Sequence, residues 1–469
     1  MSENLKNKDL EVTRLISEYA SNVKYEDIPA QVIEFAKLLI LDSVGNSIGG
    51  QLLEPGQKIN KYYSAMGGTP EATVLSTGEM LPLNNTCYIN SYLSNVLDYD
   101  DAYKAVGHPG CTIIPPAIAV AEHREKSGKE LLTAVITGYE TSIRVAQGIS
   151  PSAERMPKVW GTTQHQIFGT VIAASSLLDL DVHQTKNAIG IAGYHAVQPF
   201  GNKVGMNPEE RPVSWMKNNY GWASMGGVMA AVLTEKGFIG HKAFFDGETG
   251  LWIMAASDQC DFELMVSGLG EKYKIMTTEF KPYACCRWAH SAVEAGEILI
   301  RDNEINVSQI EKIDMEVYAM AANYLPEKKP INAFEAQFSL PYLFSITLYG
   351  KSPALGLKEE DITNEEILAL SQKLNITVNE ELDNLFFTKG QMPSIVRITM
   401  KDGTTFEEAI YEPKGSESNP ITNDELVTKF FNITTPIVGE EKAKKLYDSI
   451  MSIEDVENIK EMIKDIYHL

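Results

Sequence analysis

The spacing of apolar residues changes from a helical to a strand-like pattern near residue 270, and this change constrains the fold more than any other feature of the chain. Before it, apolar residues recur at helical spacing, as in Ile33, Ala36 and Leu39. The pattern predicts a first half built almost entirely of packed helices. Their expected positions are 9–24, 30–48, 85–98, 113–127, 128–147, 165–180, 183–194, 220–236 and 241–247.

The second half of the chain adds strands to the predicted helices. β-Branched and alternating residues at 312–320 and 394–400 predict two strands. Lys401-Asp402-Gly403 separates the second strand from 404–410, as the turn of a β-hairpin does. Beyond the hairpin, residues 440–467 are predicted to form amphipathic helices that pack on the first half.

Two domains are expected, because 469 residues exceed what one ordinary core holds. The predicted fold is mainly α, with a large all-helical domain and a smaller α+β lid domain. Residues 1–270 are assigned to the first part of the helical domain, residues 271–414 to the lid, and residues 415–469 to a C-terminal return to the helical domain.

Charge and polarity exclude several classes of partner. The formal net charge is −22, from 41 Lys and Arg against 63 Asp and Glu, so neither nucleic acid nor an anionic membrane is an expected partner. The longest uncharged stretch, 159–178, contains too many polar side chains for a membrane span. Residues 1–12 lack the apolar segment of a secretory signal, so a cytoplasmic protein is predicted.

No cofactor or bound metal is predicted. The five cysteines show no C-x-x-C spacing, which argues against a disulfide framework and a zinc site. An iron–sulfur cluster held by three scattered cysteines is an alternative that spacing alone leaves open. Nucleotide-binding glycine loops, either Walker A or G-x-G-x-x-G between a strand and a helix, do not occur.

The densest polar cluster combines three carboxylates with a histidine within eleven residues: Asp98, Asp100, Asp101 and His108. Pro115-Pro116 fits the first turn of a helix, so His108 is expected near a helix N-terminus, where the dipole favours a neutral imidazole and a bound carboxylate. A neutral imidazole can take a proton from a carbon α to a carboxylate, which makes His108 the candidate general base. The alternatives are that the carboxylates cap the loop around a hydrogen-bonded histidine, or that they bind a metal ion.

A second cluster lies where the helical pattern gives way to the mixed one, a position that favours a cleft between domains. It contains Lys281, Arg287 and His290. Lys281 and Arg287 are candidate substrate-binding residues, because an arginine can hold a carboxylate through two hydrogen bonds. His290 is a candidate acid, base or anion contact; the alternative is a buried histidine with satisfied hydrogen bonds.

Lys217 lies in a charge-poor stretch before the predicted helix at 220–236, so we expect it to be partly buried. An ammonium group there can stabilise the negative charge that builds on a carboxylate as the α-proton leaves. The alternative is a surface lysine with a buried stem.

These clusters, in this order and separation, resemble the MmgE/PrpD family, which includes 2-methylcitrate dehydratase, cis-aconitate decarboxylase and iminodisuccinate epimerase. The resemblance spans nearly the whole chain. It is carried by residues 41–45, 97–101, His108-Pro109, 217–233, 280–290, 336–342 and 413–415.

The resemblance implies a discontinuous helical domain with a smaller lid, a homodimer, and a metal-free site between the domains for a small polycarboxylate substrate. It also implies a set of catalytic residues, namely Asp98, His108, Lys217, His290 and Tyr342. In that set His108 moves the proton at carbon, while Lys217 and His290 hold carboxylates and the developing enolate. Tyr342 protonates or positions a leaving hydroxyl. Asp98 orients a neighbour or acts as a second acid or base.

Two positions depart from the decarboxylase-like pattern of the family. Ala102 replaces a hydroxyl residue, and Thr163 replaces a histidine, although His165 follows two residues later. These departures weaken the decarboxylase assignment. Elimination of water from a 2-methylcitrate-like acid is the leading function, because acid/base groups and anion-binding side chains suffice for it without redox chemistry. Cis-aconitate decarboxylase-like and iminodisuccinate epimerase-like activities are the alternatives. A non-catalytic binding or scaffold protein is the alternative of a different class.

Overall fold

The computed structural model describes residues 5–103, 107–159, 163–196, 205–206, 208–217, 220–351, 353 and 358–467, with the backbone alone at residues 163 and 164. The helices before residue 260 are α1 (Val12–Asn22), α2 (Ala30–Gly49), α3 (Glu54–Met66), α4 (Leu83–Val96), α5 (Pro109–His123), α6 (Gly128–Gly148), α7 (Met156–Val159), α8 (Thr163–Leu177), α9 (Val182–Ala192), α10 (Tyr220–Glu235) and α11 (Leu251–Met254). The later helices are α12 (His290–Asp302), α13 (Ala319–Tyr324), α14 (Ala333–Ala336), α15 (Leu340–Leu348), α16 (Glu359–Ile362), α17 (Glu365–Gln372), α18 (Glu380–Lys389), α19 (Asn423–Val438), α20 (Glu440–Met451) and α21 (Ile459–Tyr467). The predicted mainly α fold is confirmed.

The strands form one four-stranded sheet and two small pairs. The pairs are β1 (Leu5–Lys6) with β4 (Cys260–Asp261) and β2 (Ala72–Thr73) with β3 (Met80–Leu81). The larger sheet has the order β6-β5-β7-β8, formed by β5 (Ile310–Val317), β6 (Leu374–Val378), β7 (Ser394–Met400) and β8 (Thr405–Ile410). β6 runs parallel to β5, whereas β7 is antiparallel to both β5 and β8. The pairing of Thr399 with Thr405 confirms the predicted hairpin.

The predicted helix at 241–247 is wrong, because this segment forms turns. Its polar groups find partners on α1 instead of within a helix. Phe245 N donates to Thr13 Oγ1 at 3.1 Å, and Asp246 Oδ1 accepts from Thr13 N at 3.0 Å. The side chain of Phe245 is thereby fully buried, so tertiary contacts override the local pattern.

The predicted strand at 312–320 is wrong at its C-terminal end. β5 stops at Val317, and α13 begins at Ala319. Asp383 Oδ1 accepts a hydrogen bond from Ala319 N at 2.8 Å, which satisfies a main-chain donor that has no partner inside the first turn of the helix.

α5 begins immediately after His108, earlier than the predicted start near residue 113. The helix continues through Pro115 and Pro116. At Pro116, side chains from other helices supply the hydrogen bond that the proline cannot donate. Pro116 has no N–H and leaves Thr112 O without its usual helical donor. The hydroxyl groups of Thr170 and Ser224 donate to that oxygen at 2.6 and 3.2 Å. The predicted position of His108 at a helix N-terminus is confirmed.

α4 lies between two buried apolar clusters. One cluster consists of most of the helices before residue 280 together with α19, α20 and α21, so the C-terminal helices pack on those of the first half. The other joins the four-stranded sheet and the helices around it to α4. The loop that follows α4 therefore runs between the two cores, while the domain boundaries at 270 and 414 remain predictions. None of the described helices has the length and apolar character that a membrane crossing requires.

Candidate active site

Asp98, in the loop after α4, is the centre of a buried cluster of charged side chains. Its backbone φ of 52° lies in the left-handed region, which Asp adopts more readily than most residues. Its Oδ1 accepts a hydrogen bond from Lys217 Nζ, and its Oδ2 lies 3.1 Å from Lys281 Nζ. All three side chains are buried, so the fold brings together predicted site residues from three distant stretches.

The cluster keeps Asp98 ionised. Burial acts to raise the pKa of this carboxyl, but the positive charges of Lys217 and Lys281, with His108, outweigh burial and hold that pKa well below its ordinary value. Lys281 Nζ makes no hydrogen bond within the described residues beyond its ion pair with Asp98. Its remaining donors suit a substrate carboxylate.

Lys217 reaches this cluster from the loop before α10. Its φ of 46° is also in the left-handed region. Its Nζ donates to Asn95 O at 3.3 Å and lies 5.2 Å from the centre of the Phe338 ring. The lysine is only 6% exposed, so the prediction of a buried position is confirmed and the surface alternative is wrong.

His108 presents an unprotonated nitrogen to the cluster. Its Nδ1 lies 2.8 Å from the carbonyl oxygen of Asp101, and because a carbonyl only accepts, Nδ1 carries the proton. Its Nε2 therefore has a free lone pair, 3.9 Å from Asp98 Oδ1. Burial lowers the pKa of His108 more than the neighbouring carboxylates raise it, so the neutral form is favoured. The arrangement suits a general base.

The other two carboxylates of the loop hold its shape. Asn95 Nδ2 donates to both oxygens of Asp100, at 2.9 and 3.0 Å, and Asp100 Oδ2 lies 3.5 Å from His108 Nδ1. Asp101 Oδ1 accepts from Gly110 N at 3.0 Å, inside the first turn of α5. Burial, followed by the charge of Asp100, raises the pKa of Asp101 well above its ordinary value. The contacts of Asp100 and Asp101 match the alternative in which the carboxylates cap the loop around a hydrogen-bonded histidine.

Two hydrogen-bonding side chains of the site were missed in the sequence. Asn95 lies on α4 among buried residues, and Tyr139 lies on α6, 2.8 Å from Asp101 Oδ2. Tyr139 has no sequence signal of its own. A buried amide one turn before an acidic loop is a pattern that would have indicated Asn95.

α8 packs behind the loop that presents His108. Gln166 Nε2 donates to the main-chain oxygen of His108. A Cβ atom on Gly107 would lie 3.4 Å from His165 Nε2, so this ring packs directly against the loop. Burial lowers the pKa of His165 to about 3, which keeps the ring neutral. The side chain of Thr163 lies outside the described residues.

Ala102 ties the loop after α4 to the segment that carries Lys281. Its main-chain N and O form a pair of hydrogen bonds with Glu279, at 2.8 and 2.7 Å. Because these contacts use only backbone atoms, they do not require the hydroxyl residue of the decarboxylase-like pattern.

Arg287 and His290 bind each other next to this cluster. Arg287 Nη1 donates to His290 Nδ1 at 3.0 Å, and His290 Nε2 lies 3.2 Å from Cys285 O, so Nε2 carries the proton and both ring nitrogens are occupied. Burial, followed by the charges of Arg287 and Lys281, lowers the pKa of His290 well below its ordinary value. This geometry matches the alternative of a buried, hydrogen-bonded histidine.

Arg287 retains binding capacity on its other side. Its Nε lies 3.0 Å from Glu279 Oε2, while its buried Nη2 has no hydrogen-bond partner within the described residues. An unpaired, buried guanidinium nitrogen suits the carboxylate-binding role predicted for this arginine.

Tyr342 is not brought into contact with the cluster. It lies in α15 with a fully buried side chain, and its hydroxyl has no hydrogen-bond partner among the described residues. Burial, followed by the charge of Asp361, raises the pKa of this hydroxyl above its ordinary value. None of the described contacts joins Tyr342 to Asp98, His108 or Lys217, so its predicted role remains a prediction.

The donor set near His108 fits an anion better than a metal ion. Ligand atoms of Asp98, Asp100 and His108 lie within 4.8 Å of one another, which is close enough to hold a cation. However, the ammonium groups of Lys217 and Lys281 already compensate Asp98, and both would repel a divalent cation.

Two cavities share part of their lining, and the smaller one reaches Lys217. The smaller one is lined by Lys217, Asn95 and Tyr220, and the ring of Tyr220 lies 5.9 Å from that of His108. The larger one, of about 540 Å³, opens between α3 and α14. Trp215 and Phe334 line both cavities.

Comparisons with known proteins agree with the resemblance. The model of the MmgE/PrpD N-terminal domain matches residues 14–264, and that of the MmgE/PrpD C-terminal domain matches residues 283–455. A cis-aconitate decarboxylase of Aspergillus terreus is 24% identical over 482 residues, which cover 97% of this chain and 95% of the relative. The cis-aconitate decarboxylase of Homo sapiens is 23% identical over 467 residues, which cover 95% of this chain and 92% of the relative. Because the N-terminal model alone spans more than half of the sequence, the chain belongs to the MmgE/PrpD family.

Proposed function

We propose that this protein is a lyase that acts on a small citrate-like polycarboxylic acid, with His108 moving the proton at a carbon α to a carboxylate. The observation that carries the proposal is the free lone pair of His108 Nε2 beside the Asp98, Lys217 and Lys281 cluster. A base next to buried ammonium groups is suited to a reaction that places negative charge on a carboxylate.

The charges of the cluster define how an anionic substrate is received. The ammonium groups of Lys217 and Lys281 share the single carboxylate of Asp98, so this ion cluster has one positive charge more than it has negative charges. A substrate carboxylate that approaches Lys217 and Lys281 shares them with Asp98. As the α-proton passes to His108 Nε2, the electron pair of the C–H bond moves onto that carboxylate, and both ammonium groups stabilise the added charge.

Dehydration and decarboxylation use this proton transfer in opposite directions. In dehydration, His108 takes the proton, the C–O bond breaks, and the hydroxyl leaves as water after it receives a proton from an acid. In decarboxylation, His108 first takes up a proton from solvent, a C–C bond breaks and releases CO2, and His108 delivers that proton to the carbon that keeps the electron pair. A single movable proton on His108 therefore serves either reaction.

Decarboxylation of cis-aconitate is supported by the relatives, which carry that activity in their names and match nearly the whole chain. Elimination of water from 2-methylcitrate is supported by Ala102, which lacks the hydroxyl of the decarboxylase-like pattern. The broad proposal, a citrate-like lyase, includes both reactions.

The test is incubation of purified, EDTA-treated protein with cis-aconitate, 2-methylcitrate and citrate, with olefin absorbance and CO2 release followed in parallel. CO2 release from cis-aconitate assigns decarboxylation, and olefin formation without CO2 from 2-methylcitrate assigns dehydration. Absence of turnover with all three acids contradicts the proposal and favours a scaffold or another substrate, and turnover that requires added metal contradicts the metal-free mechanism.

The predicted cytoplasmic homodimer remains a further proposal, for which light scattering should give about 104 kDa, twice the chain mass of 51.9 kDa.

A further inference from the structure

The ammonium group of Lys429, on α19, is buried with all three of its donors engaged. Its Nζ lies 2.6 Å from Asp42 Oδ1 on α2. It donates to the main-chain oxygens of Tyr99, at 2.5 Å, and Lys281, at 3.1 Å. It also lies 3.9 Å from the centre of the Tyr99 ring. Its sequence context predicts no role for this lysine.

The two carbonyl groups belong to the two segments that form the candidate active site. Tyr99 directly follows Asp98, and Lys281 carries the ammonium group that lies 3.1 Å from Asp98 Oδ2. A second link joins the same segments, because the Tyr99 hydroxyl donates to Pro282 O at 3.1 Å. Lys429 thus binds the main chain on both sides of the Asp98–Lys281 ion pair.

We infer that Lys429, held by Asp42, is a positioning residue that sets the distance between Asp98 and Lys281 through the main-chain oxygens of Tyr99 and Lys281. Two observations support this role. A buried ion pair adds little stability by itself, because desolvation offsets the attraction, so stability alone does not account for the pair of Lys429 and Asp42. In addition, the left-handed backbone of Asp98 persists only if neighbouring contacts impose it, and the contact to the next carbonyl is one of them.

α6 offers a matched control with the same chemistry at another place. Arg144 and Glu140 form a fully buried ion pair, with Arg144 Nε 3.2 Å from Glu140 Oε2. Arg144 also donates to three main-chain oxygens, those of Ser267, Gly268 and Lys272, at 2.5, 3.1 and 2.6 Å. Loss of either cation removes one ion pair and two or three carbonyl contacts, but only Lys429 binds the segments of Asp98 and Lys281.

The first experiment compares Lys429→Met with Arg144→Met in the full-length protein by hydrogen–deuterium exchange. We expect Lys429→Met to accelerate exchange at residues 98–102 and 279–282, and Arg144→Met to accelerate it at residues 267–275. Equal exchange in wild type and Lys429→Met at both active-site segments would overturn the inference.

The second experiment uses catalysis, and only this part rests on the proposed function. With the acid that the wild type converts, we expect kcat to fall at least about 30-fold in Lys429→Met and less than about 3-fold in Arg144→Met, both assayed below their unfolding temperatures. Lys429→Arg, which keeps the charge, should retain more activity than Lys429→Met. Equal loss of kcat in the Lys429 and Arg144 variants would overturn the positioning role.

A double variant separates positioning from stability. Asp42→Leu with Lys429→Met replaces the whole ion pair by apolar side chains, which buried sites often tolerate. We expect the double variant to have near-normal thermal stability. Its hydrogen exchange should be as fast, and its kcat as low, as in Lys429→Met. Wild-type exchange together with wild-type kcat would overturn the inference. If the wild type converts none of the acids, the proposed function fails, while the exchange measurements still decide the role of Lys429.

Discussion

Asp98 and Lys217 pair with each other while both hold a left-handed backbone conformation, with φ of 52° and 46°. This conformation costs a residue other than glycine roughly 1–2 kcal/mol. Asn95 connects the two, because its main-chain oxygen accepts from Lys217 Nζ at 3.3 Å just before the Asp98 turn. The strained backbone is therefore located at the ion pair that the proposed chemistry uses.

Asp98→Asn should preserve the turn but remove its charge. Asn tolerates the left-handed region, whereas the ammonium groups of Lys217 and Lys281 lose their shared carboxylate. We expect stability to fall by about 3–5 kcal/mol, as when one partner of a buried pair is removed, and kcat/KM to fall at least about 100-fold. Denaturant unfolding and steady-state kinetics measure the two effects. Asp98→Ala should be less stable still, because Ala disfavours this backbone, and equal stability of the two variants would contradict the strain.

His108→Ala should abolish proton transfer without unfolding the protein. The loss of a general base lowers kcat by roughly 100-fold to 10,000-fold. His123→Ala is a matched control, because His123 is the last residue of α5 and His108 directly precedes the first. Steady-state kinetics with circular dichroism check the result. A kcat within a few-fold of wild type in His108→Ala would exclude this residue as the base.

The acid limb of the pH–rate profile should lie below pH 6.5, the ordinary pKa of histidine. Dehydration needs neutral His108, and burial lowers the pKa of this imidazole, so for that reaction protonation and loss of kcat/KM begin only at a pH below that value. Decarboxylation needs the protonated form, so for that reaction kcat/KM should instead fall as the pH rises. The same shift makes the folded state bind fewer protons than the unfolded state below pH 6.5. The contribution of His108 to stability is thus present above this pH and is lost as the pH falls.

NMR titration of the histidine ring signals tests the shift directly. The His108→Ala spectrum identifies the signal of His108 among those of the eight histidines. A midpoint at or above 6.5 for that signal would contradict the neutral base, whatever the pH–rate profile shows.

The convergence of Asp98, His108, Lys217 and Lys281 was predictable from the sequence because each lies in a short segment with an unusual composition. Carboxylates next to a His-Pro-Gly turn, or a lysine in a charge-poor stretch, indicate a buried polar site before any coordinates are known. The helical first half was predictable for a similar reason, since apolar spacing is a local property.

The partners of these residues were harder to predict, because they depend on long-range contacts. His290 looked like an acid or base, but in the fold its ring nitrogens are bound by Arg287 and Cys285. Lys429 gave no signal beyond a lysine beside Phe430, and its partner Asp42 was noted only as part of segment 41–45, which carries the family resemblance, with no role assigned. Only the packing of α19 on α2 reveals that these two buried charges compensate each other.

Arg211 anchors the loop of Lys217 to the segment around α14. Its Nη1 lies 3.2 Å from Glu335 Oε1, and its Nη2 donates to Phe338 O at 3.1 Å. The Phe338 ring in turn lies 5.2 Å from Lys217 Nζ. One residue, Phe338, therefore contacts the loop both at Arg211 and at Lys217.

Arg211→Gln should loosen this loop and displace the ammonium group of Lys217 from Asp98. Because Lys217 then stabilises the developing charge less well, we expect kcat/KM to fall about 10-fold, while unfolding stays cooperative. Arg301→Gln is the control, since Arg301 pairs only with the exposed neighbour Asp302 in the described structure. Steady-state kinetics on both variants check the prediction. Equal kcat/KM in the two variants would show that the anchor of the loop does not determine where Lys217 acts.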